Sequence, residues 1–182
     1  MKRVALLAVF AGTLAHAQVV VPSPSSFGLG KNLQLRAGYW FGSRFTSGAN
    51  KVRLEGPSAG VDMNLGQIPL LGEMTLAGTV VWAGSTKSSG DQATLWRLMS
   101  ITRGQLNVSG WYPIAGYGYA SSKARGTTSF DTKGAWVTQI GIGKRLNKVQ
   151  GIGSGMSTSF ELNYCTGRGP YNGFSAELSL KF

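Results

Sequence analysis

Histidine occurs once, cysteine once and acidic residues only seven times in the 182 residues of this chain. A single cysteine, Cys165, rules out an intramolecular disulfide. The single histidine, His16, lies in a leader-like segment, so the remainder of the chain has no imidazole. Ser/His/Asp and Cys/His nucleophile activation are therefore unavailable to it. A metal centre would have to be built from one thiol and scattered carboxylates, a poor ligand set. No run of 18 or more apolar residues is present, so no membrane-spanning helix is expected. A membrane β-barrel is not touched by that exclusion, because each strand needs only about 10 alternating residues. Helical periodicity is nearly absent, and proline is scarce at six.

What is present begins with a leader. Lys2 and Arg3 precede an apolar stretch from Val4 to Phe10, and Ala15-His16-Ala17 has the small-residue pattern of a cleavage site. Residues 1–17 read as a cleaved secretory signal peptide. Residues 18–31, with Pro22, Pro24 and several serines, read as an extended periplasmic leader, and residues 32–182 as one β domain. Removing Lys2 and Arg3 leaves 16 of the 18 basic residues against seven acids, a net +9. An exported basic protein points to anionic surfaces such as lipopolysaccharide phosphates, and away from nucleic acid.

The 27 glycines punctuate stretches of strict alternation. The last one is the clearest. Phe174, Ala176, Leu178, Leu180 and Phe182 share one face, and Ser175, Glu177, Ser179 and Lys181 share the other. The same period-2 pattern predicts strands over 33–41, 58–65, 73–84, 111–121, 134–145 and 155–166. A further strand is expected within 93–122, with a turn between Arg103 and Gly110. Both phases of Leu95 to Ile101 are apolar, so the register there is open. The result is eight strands. Polar loops are expected over 42–56, 85–91, 122–133 and 167–172, alternating with turns over 66–72 and 146–154, a pattern that fits an antiparallel up-and-down barrel.

Alternation alone does not say which face meets lipid. Tyr39, Phe41, Trp82, Tyr117, Tyr119, Trp136, Tyr164 and Phe174 gather toward the loop ends of the apolar phase, as an interfacial girdle does. The opposite phase is rich in Gly, Ala, Ser and Thr, small enough for the inside of an eight-stranded barrel. Both features favour lipid outside. A soluble, secreted, lipocalin-like carrier with its apolar phase inward is the contrary arrangement.

Gly116-Tyr-Gly-Tyr-Ala120, Ile140-Gly-Ile-Gly143, Glu161-Leu-Asn-Tyr164 and the terminal Phe182 together resemble the small outer-membrane barrels of the outer membrane protein A-type and W-type superfamily. The resemblance implies an all-β, eight-stranded transmembrane barrel in the cell outer membrane, without a cofactor. It also implies that Phe182 belongs to the signal read by the barrel-assembly machinery. Small outer-membrane deacylases, phospholipases and proteases rely on a histidine base that this chain lacks. Palmitoyl transfer lies outside that exclusion. Gly141-Ile-Gly-Lys-Arg145 and Gly151-Ile-Gly-Ser-Gly155 precede no helical pattern and read as strand and turn glycines rather than phosphate loops.

Two sets of charges remain. Arg36, Asp62, Arg97, Glu161 and Glu177 lie on the polar phase at mid-strand. Buried charges must pair, so an interior ionic network plugging the barrel is expected, with gating of a narrow path as the alternative. Arg44, Lys51, Arg53, Lys87, Lys123, Arg125, Lys133 and Arg168 fall in the predicted external loops against Glu55, Asp91 and Asp131. These loops are expected to contact lipopolysaccharide or a partner through phosphate-directed hydrogen bonds. The expectation is thus a monomeric, non-catalytic surface barrel, with a narrow passive channel for small or hydrophobic solutes as the second reading.

Overall fold

A computed structural model of the chain describes residues 32–47, 50–85, 92–105, 109–125, 133–146 and 157–181, without the side chains of residues 43–52 and Arg125. Eight strands follow one another: β1 (Leu33–Ser47), β2 (Asn50–Ile68), β3 (Gly72–Ser85), β4 (Gln92–Arg103), β5 (Trp111–Arg125), β6 (Ala135–Leu146), β7 (Ser157–Thr166) and β8 (Gly173–Lys181). Each pairs antiparallel with the next, and β1 pairs with β8, closing the barrel. Closure leaves no unpaired sheet edge, which in lipid would strand backbone donors and acceptors.

The strand count agrees with the alternation in the sequence, and the turn between β4 and β5 falls inside the expected interval. Residues 42–56 are a correction. They were expected to form a loop, but the β1–β2 ladder continues through Arg44 opposite Arg53 to Ser47 opposite Asn50, after a register shift between Phe41 and Arg44. The Gly-, Ser- and Asn-rich sequence carries no clear alternation there, so it reads as a loop although the backbone pairs as a strand. β5 likewise runs four residues past its expected end, to Arg125. The expected leader segments 1–17 and 18–31, most of the loops, and Phe182 lie outside the described residues.

The side-chain phases sort cleanly. Leu35, Val61, Trp82, Trp96, Leu98, Tyr117, Tyr119, Trp136, Ile140, Ile142, Leu162, Phe174 and Leu178 are exposed on the outside. Among the described residues, the charges on this outward phase (Arg53, Glu55, Lys123 and Lys144) stand toward the strand ends. Aromatics crowd the half nearer the loops. Tyr117 stacks on Trp136 at 5.1 Å and Tyr119 meets the same ring edge-on at 5.6 Å, while Tyr39 and Phe41, and Tyr164 and Phe174, pair across 4.8 and 4.7 Å. At the opposite end Lys144 Nζ lies 5.1 Å from the Trp111 ring. An apolar wall with aromatic and cationic borders is a transmembrane exterior. It is the reverse of a soluble carrier.

Candidate functional site

The lumen is filled by side chains, in two kinds of material. Toward the loops it is apolar: Trp40, Leu54, Val81, Leu95, Val137 and Tyr171 are buried together. Tyr171 arrives from a single 3-10 turn, Gly169–Tyr171, that folds over the barrel mouth. Its hydroxyl donates to Lys133 O at 3.1 Å and lies 3.0 Å from Ser122 Oγ, which fixes the ring in place. The small residues expected to fill the interior are therefore supplemented by large apolar ones from several strands and the 3-10 turn.

Below this cap the material is ionic. Arg36 donates through Nε to Asp62 Oδ1 at 2.8 Å, through Nη1 to Glu177, and through Nη2 to Thr79 Oγ1 at 2.8 Å. Arg97 Nη2 stands 3.6 Å from Glu177 Oε1, and its guanidinium lies 4.7 Å over the Trp40 ring. Arg103 donates to Asp62 Oδ2 at 2.6 Å, to Glu161 Oε1 at 2.7 Å and to Thr75 Oγ1 at 2.9 Å. Tyr112 donates to Glu161 Oε1 at 2.9 Å. The groups form one continuous chain, Arg97–Glu177–Arg36–Asp62–Arg103–Glu161–Tyr112, in which three guanidiniums face three carboxylates. Asp62 and Glu161 are wholly inaccessible to solvent. Charges so deeply buried are tolerated because each meets an opposite charge and further hydrogen bonds.

The local backbone makes room for these groups. Gly38 lies opposite Glu177 in the β1–β8 ladder, and a Cβ there would fall 2.2 Å from Ala176 O and 2.8 Å from Glu177 Cγ. At Gly143 a Cβ would lie 2.3 Å from the Tyr112 ring.

All five interior charges read from the alternation lie in this lumen, and Arg97 falls on the inward phase. The sequence reading missed Arg103, which it placed at the start of a turn. Counting by twos from Arg97 through Met99 and Ile101 would have put it inside. Thr75, Thr79 and Tyr112 were missed for a plainer reason, since inward polar residues of strands carry no signal of their own partners.

The chain of pairs leaves some polar atoms unused. Trp40 Nε1, Arg97 Nε, Gln139 Nε2 and both amide atoms of Asn163 are buried without a hydrogen bond among the described residues. Cys165 is buried beside them, 2.9 Å from Arg97 Nη1 and 3.4 Å from Gln139 Oε1. It is a packed interior residue.

Of the external basic set, Lys123, Lys133 and Arg168 are exposed at the loop end. Arg53 is half exposed there and pairs with Glu55 at 3.4 Å. Arg44, Lys51 and Arg125 belong to strand ends whose side chains are not described, and Lys87 lies outside the described residues.

No protein-family model matches this chain, and no curated protein matches it either. Among solved structures it is similar to neisserial surface protein A, with a TM-score of 0.53 and 13% identity, over 82% of this chain and 97% of that one. At that identity the similarity speaks for a shared fold alone. The eight-stranded up-and-down membrane barrel is thus common to both proteins.

Proposed function

We propose that the protein is an outer-membrane barrel with a closed lumen, whose role is structural or interactive and whose basic loop end meets lipopolysaccharide or a partner. The observation that carries this reading is the lumen itself. The Trp40–Tyr171 cap and the seven-membered ionic chain occupy it in series. The apolar outer wall, the leader-like residues 1–17 and the fold likeness to a bacterial surface protein support the location. Lys123, Lys133 and Arg168, exposed at one end, supply the charge for phosphate groups. Phe182 would serve the assembly machinery during insertion, after which the barrel works as a monomer without catalysis.

The test is conductance of the refolded 18–182 barrel in a planar bilayer, with Arg36→Ala beside it. The expected result is a silent wild type, with conduction appearing only when Tyr171→Ala opens the cap together with Arg36→Ala. Reproducible wild-type conductance would replace this reading with the narrow-channel one. The loop-end contact is tested separately: binding to vesicles containing lipopolysaccharide should exceed binding to neutral vesicles and fall with added salt.

A further inference from the structure

At the turn end of the barrel, beneath the ionic chain, a polar cavity of about 360 Å³ opens to solvent. That is the small end of the range for ligand pockets, about 300–1,000 Å³. Arg103, Tyr112 and Gln34, all buried, line it, and Glu73, Lys181 and Arg145 stand around them. The charges there are unequally committed. Arg103 is held by Asp62 and Glu161, and Lys181 Nζ sits 2.6 Å from Glu73 Oε1. Arg145 is exposed, and its guanidinium forms no ion pair among the described residues, so it is the cation of this cavity open to a ligand. A guanidinium presents paired N–H groups that match a carboxylate. Around it Gln34, Gln105 and Ser157 offer amides and a hydroxyl that suit neighbouring hydroxyl groups.

We infer that this vestibule binds a small hydroxylated carboxylate of the sugar-acid class, with Arg145 gripping the carboxylate and the amide and hydroxyl lining holding the hydroxyls. The site goes beyond the closed-barrel reading and does not depend on it, because a ligand seated here need not cross the lumen.

β6 supplies its own control. Lys144 and Arg145 are adjacent, yet Lys144 lies against Trp111 on the outer wall while Arg145 lines the cavity. The experiment is calorimetric titration of the refolded 18–182 barrel in neutral detergent with glucuronate and with glucose. Wild type, Arg145→Gln and Lys144→Gln are compared, each first shown to be folded by heat-modifiable gel mobility. Saturable glucuronate binding is expected, with glucose at least about tenfold weaker. Arg145→Gln should weaken glucuronate about fivefold or more, and Lys144→Gln should leave it unchanged. Equal binding of the two sugars, equal effects of the two substitutions, or no glucuronate binding would each overturn the assignment.

Discussion

Arg103 reaches from β4 across the lumen to Glu161 on β7, with Nε 2.7 Å from Oε1. The same guanidinium holds Asp62 on β2 at 2.6 Å, so one side chain ties three strands that are not all neighbours. Arg103→Ala would leave the inaccessible Glu161 carboxylate without a cation and Asp62 with Arg36 alone. Breaking a buried pair by removing one partner costs about 3–5 kcal/mol. Urea unfolding of the refolded barrel should show a loss in that range. Arg53→Ala, which removes a half-exposed pair with Glu55, should cost less than about 1 kcal/mol. Similar losses for the two would mean that the lumen is wet enough to screen its charges.

The chain can also be probed by its internal coupling. Arg36 and Glu177 are in direct contact, so their substitutions should not add. Arg36→Met alone leaves Glu177 and Asp62 short of a cation, and Glu177→Gln alone leaves Arg36 and Arg97 with excess positive charge. The double variant should be less destabilised than the sum of the singles by roughly 1–3 kcal/mol in a urea-denaturation cycle. Additivity would place the two groups in separate, solvated environments.

Most of the barrel was legible because lipid outside and packing inside force a period of 2 on nearly every strand. Legibility failed where that contrast weakens. In β4 the inward phase carries Leu95, Met99 and Ile101 while the outward phase carries Trp96 and Leu98, so both faces are apolar and phase does not show. Arg97 was readable only conditionally for that reason, and Arg103 only by carrying that conditional phase on to the end of the strand. Residues 42–56 continue the β1–β2 hairpin, but their polar, glycine-containing sequence shows no clear alternation and looks like a loop. Tyr171 shows a third cause. A loop residue that turns back to cap the lumen has no periodicity to betray it, and only Pro170 and the glycines around it hint at a tight turn.

The cap gives a graded prediction. Tyr171→Phe keeps the ring among Trp40 and Val137 and loses only the hydroxyl contacts to Lys133 O and Ser122, a cost of about 1 kcal/mol. Tyr171→Ala also empties the mouth of the barrel. Aromatic-to-alanine changes in packed sites cost about 3–5 kcal/mol. Thermal denaturation should rank wild type, Phe and Ala in that order, with the larger step at Ala. A larger step at Phe would mean that the hydroxyl network, rather than the ring, holds the turn Gly169–Tyr171 in place.

Closure of the barrel depends on a close approach that tolerates no side chain. At Gly38 an added methyl would meet the carbonyl of Ala176 at 2.2 Å, a main-chain atom of the neighbouring strand that cannot turn aside. Gly38→Ala must therefore part β1 from β8 locally or displace Glu177 from Arg36. Either way the closing seam weakens, and the yield of the compact, heat-modifiable species on refolding should fall well below wild type.

The five tryptophans allow the medium itself to be tested. Trp82, Trp96, Trp111 and Trp136 are exposed on the outer wall, whereas Trp40 is buried in the lumen at 1% exposure under the Arg97 guanidinium. Brominated acyl chains quench indoles that they touch, so in brominated-lipid vesicles the four outward residues should lose fluorescence and Trp40 should not. Variants keeping one tryptophan each, with Phe at the other four positions, separate the signals. Because Trp82, Trp96 and Trp136 lie in the loop half and Trp111 near the turns, moving the bromines along the chain should quench Trp111 at a depth set by the opposite border. Quenching of Trp40 with protection of the other four would turn the barrel inside out, placing its apolar wall against something other than lipid.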